Sequence, residues 1–197
     1  PPLAGINVDT VGAKPSVCGG RLEWHVTVPS SAGFVDWVGE KILKATLRDY
    51  SAAGYSYCRE AFISTSDTLI GDPEYGYPCP WITTHHKTGE GSTWDAYHSS
   101  ADQTRLMSAA GMKTCAAGTA AYLYYLANAD TTDVVQMARA ETTRLTGEAR
   151  ARRRRLDRAG ADYLRDAHEE SLKCLQGFLW GGDRRQVMTE LQSLRAE

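Results

Sequence analysis

The residues best suited to chemistry are histidines and cysteines gathered in and around one loop-rich stretch. His85-His86-Lys87 is the densest group, with Cys79 six residues before His85 and His98 twelve after His86. Imidazole nitrogen and thiolate sulfur are the donors of zinc-type centres, which take three or four of them. Neighbouring side chains of a strand point to opposite faces, so His85 and His86 cannot share one ion unless the backbone turns. The set that could converge is Cys79, His86 and His98; otherwise these are hydrogen-bonded loop side chains. Cys115 adds a thiol nucleophile, with His86 or His98 as its base. A helix N-terminus would activate that thiol. Cys115 is instead expected inside a helix that starts at Ser100 or Asp102, where a cysteine among alanines is a small buried hydrophobe. No Walker loop, Rossmann glycine pattern, Gly-x-Ser-x-Gly elbow or EF-hand loop occurs, so no cofactor is indicated.

Three short motifs carry resemblances. Ser64-Thr65-Ser66 at the end of an apolar strand is similar to the tripeptide of ADP-ribosyltransferases, but the Glu-x-Glu pair of that family is missing. His25-Val26-Thr27 resembles one half of a two-histidine phosphoesterase motif. Its counterpart His86-Lys87-Thr88 has a charged middle residue and lies in the loop-rich segment. Val28 to Lys41 resembles the start of parvoviral replication nickases over fourteen residues of 197. The His-hydrophobic-His and Tyr-x-x-Lys motifs of those enzymes are absent, and their activity is not carried over.

The second feature is basic. Arg144, Arg150, Arg152, Arg153, Arg154, Arg155 and Arg158 stand against only Glu148 and Asp157, a local charge of +5. Arginine favours bidentate contact with phosphate or carboxylate, so nucleic-acid phosphate or an acidic protein surface would suit the run. It also fits a solvated helix face. Glu148–Arg152, Arg158–Asp162, Asp162–Arg165 and Arg165–Glu169 are all at helix-pairing spacing. Behind the arginines Val134, Leu145, Leu156, Ala167 and Phe178 recur every eleven residues, with Ala138, Ala149, Gly160 and Ser171 beside them. That period gives one nearly straight apolar stripe. It predicts one long helix from Thr132 to Trp180, or two broken near Gly147 or Gly160.

The elements that would hold these residues read as follows. Leu22, Trp24, Val26 and Val28 alternate with polar residues and predict a half-buried strand. A helix capped by Ser30 or Ser31 follows up to Tyr50, then a second strand through Tyr55, Tyr57 and Ala61–Ile63, to which Thr68–Ile70 could also belong. This is a β-α-β start. Residues 71–100 form a long, ordered, aromatic loop, and Thr132 would cap the next helix after Asn128. A last helix runs from Asp183 through Leu194. The fold class is α+β, with a small N-terminal sheet and a helical C-terminal half. Residues 1–130 make a mixed part and residues 131–197 a helical part, joined as one continuous domain.

The totals bound the rest. A chain of 197 residues with 42% hydrophobic and 23% charged residues has the composition of a globular domain. No apolar run reaches the roughly 18 residues of a membrane span. The net charge of −2 divides into −4 for residues 1–130 and +2 for residues 131–197. Five cysteines without a CxxC pair, and no Asn-x-Ser/Thr sequon, lean towards a reducing compartment. The chain opens on Pro1, as a processed product or fragment would. The whole pattern points to a binding or assembly protein. Its C-terminal helices would contact a protein partner, its own copy or nucleic acid. The alternative is a Cys/His-dependent enzyme with the 71–100 loop lining its site.

Overall fold

The computed structural model describes residues 3–28, 31, 33–65, 67–85, 87–88, 91–92, 96–152, 157–179 and 184–194. A four-stranded sheet is built from β1 (Asn7–Val8), β2 (Arg21–His25), β3 (Ser56–Glu60) and β4 (Trp81–Thr83) in the order β1-β4-β2-β3. A short helix α1 (Pro15–Cys18) precedes β2, and α2 (Phe34–Asp49) joins β2 to β3. β2 and β3 pair in parallel, so the expected β-α-β start is present. β4 runs antiparallel to β2 and parallel to β1. A two-stranded ribbon, β5 (Lys87–Thr88) with β6 (Gly91–Ser92), follows. The rest is helical: α3 (Ala109–Ala127), α4 (Thr131–Arg152), α5 (Arg158–Gln176) and α6 (Arg184–Leu194).

One face of the sheet makes the core. Leu22, Trp24 and Ile82 are fully buried there against α2 and α3. Trp24 meets Tyr122 of α3 edge to face at 5.4 Å. Glycine permits this closeness: a Cβ on Gly39 would fall 2.1 Å from the Trp24 ring, and one on Gly118 would fall 2.7 Å from Leu43. Gly118 therefore lets α3 approach α2 closely. One apolar cluster runs from Ala13 to Leu194 and includes Phe34 of α2 edge to face with Phe178 at 5.7 Å.

Several expected boundaries move, each for a local reason. β2 stops at His25, and both of its faces are covered, since Glu23 and His25 are as buried as Trp24. α2 starts at Phe34 after Gly33, without a side-chain cap. β3 ends at Glu60, so Ala61–Ile63 lie beyond it, and Leu69–Gly71 form a single 3-10 turn. The aromatic segment 71–100 is not all loop. It donates β4, which sits inside the sheet between β1 and β2. α3 starts at Ala109, where Ser108 Oγ accepts from Gly111 N at 3.1 Å, rather than near Asp102. Asp130, not Thr132, heads α4: its Oδ1 accepts from Asp133 N at 2.9 Å while Asp133 Oδ2 accepts from Asp130 N at 3.2 Å. That reciprocal pair satisfies two of the donors a helix start leaves unbonded.

The long stripe is carried by two helices. The break falls at Asp157, near Gly160 as expected and not near Gly147. Asp157 supplies the cap, accepting from Gly160 N at 2.8 Å, so Gly160 sits in the first turn of α5. Val134, Ala138 and Leu145 of α4 are buried, as are Ala167 and Ser171 of α5 and Phe178 beyond it. Leu156 lies outside the described residues. Six described residues of the stripe are thus buried inside the chain, and Ala149 and Gly160 are half-buried.

Candidate functional site

α4 and α5 form an antiparallel hairpin. Thr142 Oγ1 and His168 Nε2 are 2.9 Å apart across it. Arg150 and Arg152 at the end of α4 and Arg158 at the start of α5 therefore stand at one end of the hairpin, its tip. Arg153, Arg154 and Arg155 lie outside the described residues. Arg150, Arg152 and Arg158, on either side of them, are exposed. Arg150 and Arg152 occupy the last turn of α4, where the carbonyl ends of the helix favour a cation.

The acids near the run are already engaged. Arg144 grips Glu141 with two bonds, Nε to Oε2 at 2.8 Å and Nη2 to Oε1 at 2.7 Å. Glu141 is buried, and a Cβ on Gly33 would fall 2.6 Å from Arg144 Nη2. Arg144 therefore packs beside the start of α2 and does not belong to the surface set. Glu148 lies 2.9 Å from Arg152 Nη2 and 3.5 Å from Arg144 Nη1. Of the other pairs expected along the helix surface, Asp162–Arg165 forms at 2.9 Å, and Arg165 turns to Asp166 rather than Glu169. Arg150 and Arg158 make no ion pair among the described residues. The tip thus holds cations in excess of its carboxylates.

A second polar constellation lies on the face of the sheet away from α2. Arg21 Nε donates to Glu23 Oε1 at 2.8 Å, Glu23 Oε2 lies 2.9 Å from His25 Nε2, and His25 Nδ1 lies 2.9 Å from the Ala61 carbonyl. Arg21 also bonds Glu60 of β3. The His25 ring stacks on Trp81 at 4.5 Å. Both ring nitrogens of His25 are thus engaged, one by a backbone carbonyl and one by a carboxylate. Neither ring nitrogen is left with an open lone pair for a substrate. Thr27, the other end of the His25-Val26-Thr27 motif, serves a different partner. Its N and Oγ1 donate to Asp36 at 3.1 and 2.8 Å, and Trp24 Nε1 donates to the same carboxylate at 3.2 Å. Burial pushes the Asp36 carboxyl up to about 6 against the pull of those donors.

The described Cys and His candidates do not group as a site. Cys115 is buried in the middle of α3, and burial pushes its thiol up to about 11. Burial likewise raises the thiols of Cys18, Cys58, Cys79 and Cys174. All five cysteines are unpaired. His98 has a left-handed backbone, φ 57°, and its ring stacks on Tyr97 at 3.7 Å; Tyr97 lies 4.2 Å from the buried His85 ring. His86 lies outside the described residues. Among the described residues no three His, Cys, Asp or Glu side chains group as a metal site. Ser64 bonds Asp72, and Thr65 N donates to Thr68 Oγ1 at 2.7 Å, a turn cluster past the end of β3; Ser66 is outside the described residues. No helix of the described residues is long and apolar enough to cross a membrane.

Sequence reasoning missed the buried carboxylates Asp36 and Glu141, as it did Glu23. The available signal was an acid on the apolar side of each of these helices, α2 and α4: Asp36 lies seven residues before Leu43 and Glu141 three after Ala138, both buried. No family model matches this chain, and no curated protein or solved structure resembles it significantly.

Proposed function

We propose that this chain is a binding protein that holds a polyanion, nucleic-acid phosphate in the first instance, at the tip of its α4–α5 hairpin. One observation carries the reading. Arg150 and Arg158 are exposed on either side of Arg153–Arg155 and have no ion pair among the described residues, while Glu141 and Glu148 are committed to Arg144 and Arg152. The tip is therefore the place where cation is uncompensated and solvent-facing. Guanidinium groups meet phosphate oxygens with paired donors. The buried stripe supports the same view, because it spends its apolar area on folding and leaves the charged edge as the hairpin's outer surface. The Cys/His enzyme finds less support, since every thiol is held towards its protonated form.

The test is fluorescence anisotropy of a labelled duplex and a labelled single strand against the full chain. Replacing Arg150, Arg152 and Arg158 together by Gln should weaken both by roughly tenfold or more at low salt. Circular dichroism should stay unchanged, because these side chains are exposed. Equal binding by the variant contradicts the reading. Loss of binding to an acidic protein partner, with nucleic acid never bound, would move the site to protein recognition.

A further inference from the structure

α3 presents an outer face that nothing among the described residues covers. It holds one charged residue, Lys113, in 19. Met112 is 44% exposed, Leu123 46% and Tyr124 72%. Ala116 and Ala120 are exposed between them, opposite the glycine that packs on Leu43. At about 100° per residue, Ala116 and Ala120 flank the outward centre by about 20° on either side. Met112 and Leu123 fall on one flank, and Lys113 and Tyr124 on the other.

This arrangement is self-complementary. A two-fold axis at the level of Gly118 would set a second α3 antiparallel to the first. It keeps each flank on its own side and exchanges the two ends of the helix. Met112 then comes level with Leu123 of the second copy, apolar against apolar. Lys113 comes level with Tyr124 of the second copy, a cation beside an aromatic ring. Lys113 already leans on an aromatic within its own chain, with Nζ 5.5 Å from the Tyr50 ring. The alanines let the two backbones approach, and each contact occurs twice, as a closed two-fold interface requires. A parallel pairing would instead swap the flanks and set Lys113 beside Met112 of the second copy, a cation against an apolar side chain.

We propose that the outer face of α3 is a homodimer interface, with the second copy antiparallel across Ala116 and Ala120. The helix is about 28 Å long. One such face buries less than the roughly 800 Å² per partner of a standard interface. The dimer is therefore reversible, forming over micromolar concentrations.

Sedimentation velocity of the full chain across that range should show a monomer–dimer equilibrium. Ala120→Arg, on an exposed helix position, should weaken it by roughly tenfold or more while leaving the thermal melt in place. Ala109 and Ala127 lie at opposite ends of the same face. A mixture of Ala109→Cys and Ala127→Cys chains should cross-link to each other on mild oxidation, at a junction identified by peptide mass. A monomer at every concentration, a dimer indifferent to Ala120→Arg, or Ala109→Cys linking to itself would each overturn the proposal.

Discussion

Thr142 Oγ1 and His168 Nε2 stand 2.9 Å apart across the α4–α5 hairpin, 26 residues apart in the chain. The same hydroxyl donates back to the Ala138 carbonyl at 3.0 Å. This contact is one point of the antiparallel register, which puts Arg150, Arg152 and Arg158 at one end of the hairpin. Thr142→Val keeps the volume and removes the hydroxyl. It should lower stability by about 1 kcal/mol, the net worth of a partly buried hydrogen bond. Urea unfolding would read this as a lower midpoint with unchanged slope.

Arg144 and Arg150 separate structure from surface within one sequence run. Glu141→Ala would leave Arg144 half-buried beside Gly33 without its two-pronged partner. That should cost about 2 kcal/mol, below the full value for a buried pair because the guanidinium keeps some solvent. Arg150→Ala should change stability by less than about 0.5 kcal/mol. Equal losses at the two positions would show that the chain does not distinguish them.

Asp36 gives stability a defined pH dependence. Its carboxyl ionises at about 6 in the fold against an ordinary value of 3.8, so the folded state binds the proton more tightly. The contribution of this group therefore rises as pH falls through about 6 towards 3.8, and its penalty is full above 6. At the linkage value of about 1.4 kcal/mol for each pKa unit, the swing is at most about 3 kcal/mol. Asp36→Asn should remove that rise. The check is the difference in urea stability between the two proteins at several pH values. A difference independent of pH would contradict the assignment.

Thiol reactivity should follow burial. Cys58 is half-exposed, whereas Cys115 is buried within α3. A disulfide-exchange reagent at neutral pH should label Cys58 first. Cys115 should react more slowly than a free thiol in solution, because burial disfavours its thiolate. Rapid labelling of Cys115 in the folded chain would restore it as a nucleophile.

The fold was legible where periodicity was long. Leu22 and Trp24 gave β2, Phe34 to Ala45 gave α2, and the eleven-residue stripe gave the helical half, because repeated apolar spacing reports directly on a buried face. β4 was not legible. Three residues, Trp81 to Thr83, follow Pro78 and Pro80, and their place between β1 and β2 is decided by long-range pairing. Alternation misread Glu23 and His25 as the wet side of β2, since a period of two cannot show that a second layer covers the polar face. The helix break near Gly160 was legible to within a few residues. Glycine at position 160 suggested it, but Asp157 capping Gly160 N determined it. The arginine tip was visible as charge, while the sorting of Arg144 from Arg150 needed the buried Glu141.

The central claim is that the hairpin tip binds phosphate through arginine. The direct measurement is duplex affinity across a salt series for the native chain and the Arg150→Gln/Arg158→Gln double variant. Each phosphate contact contributes about 0.9 to the slope of log affinity against log salt. The native chain should show a steep slope, and the double variant a slope shallower by about 2. Identical slopes, or binding that ignores salt, would contradict the account.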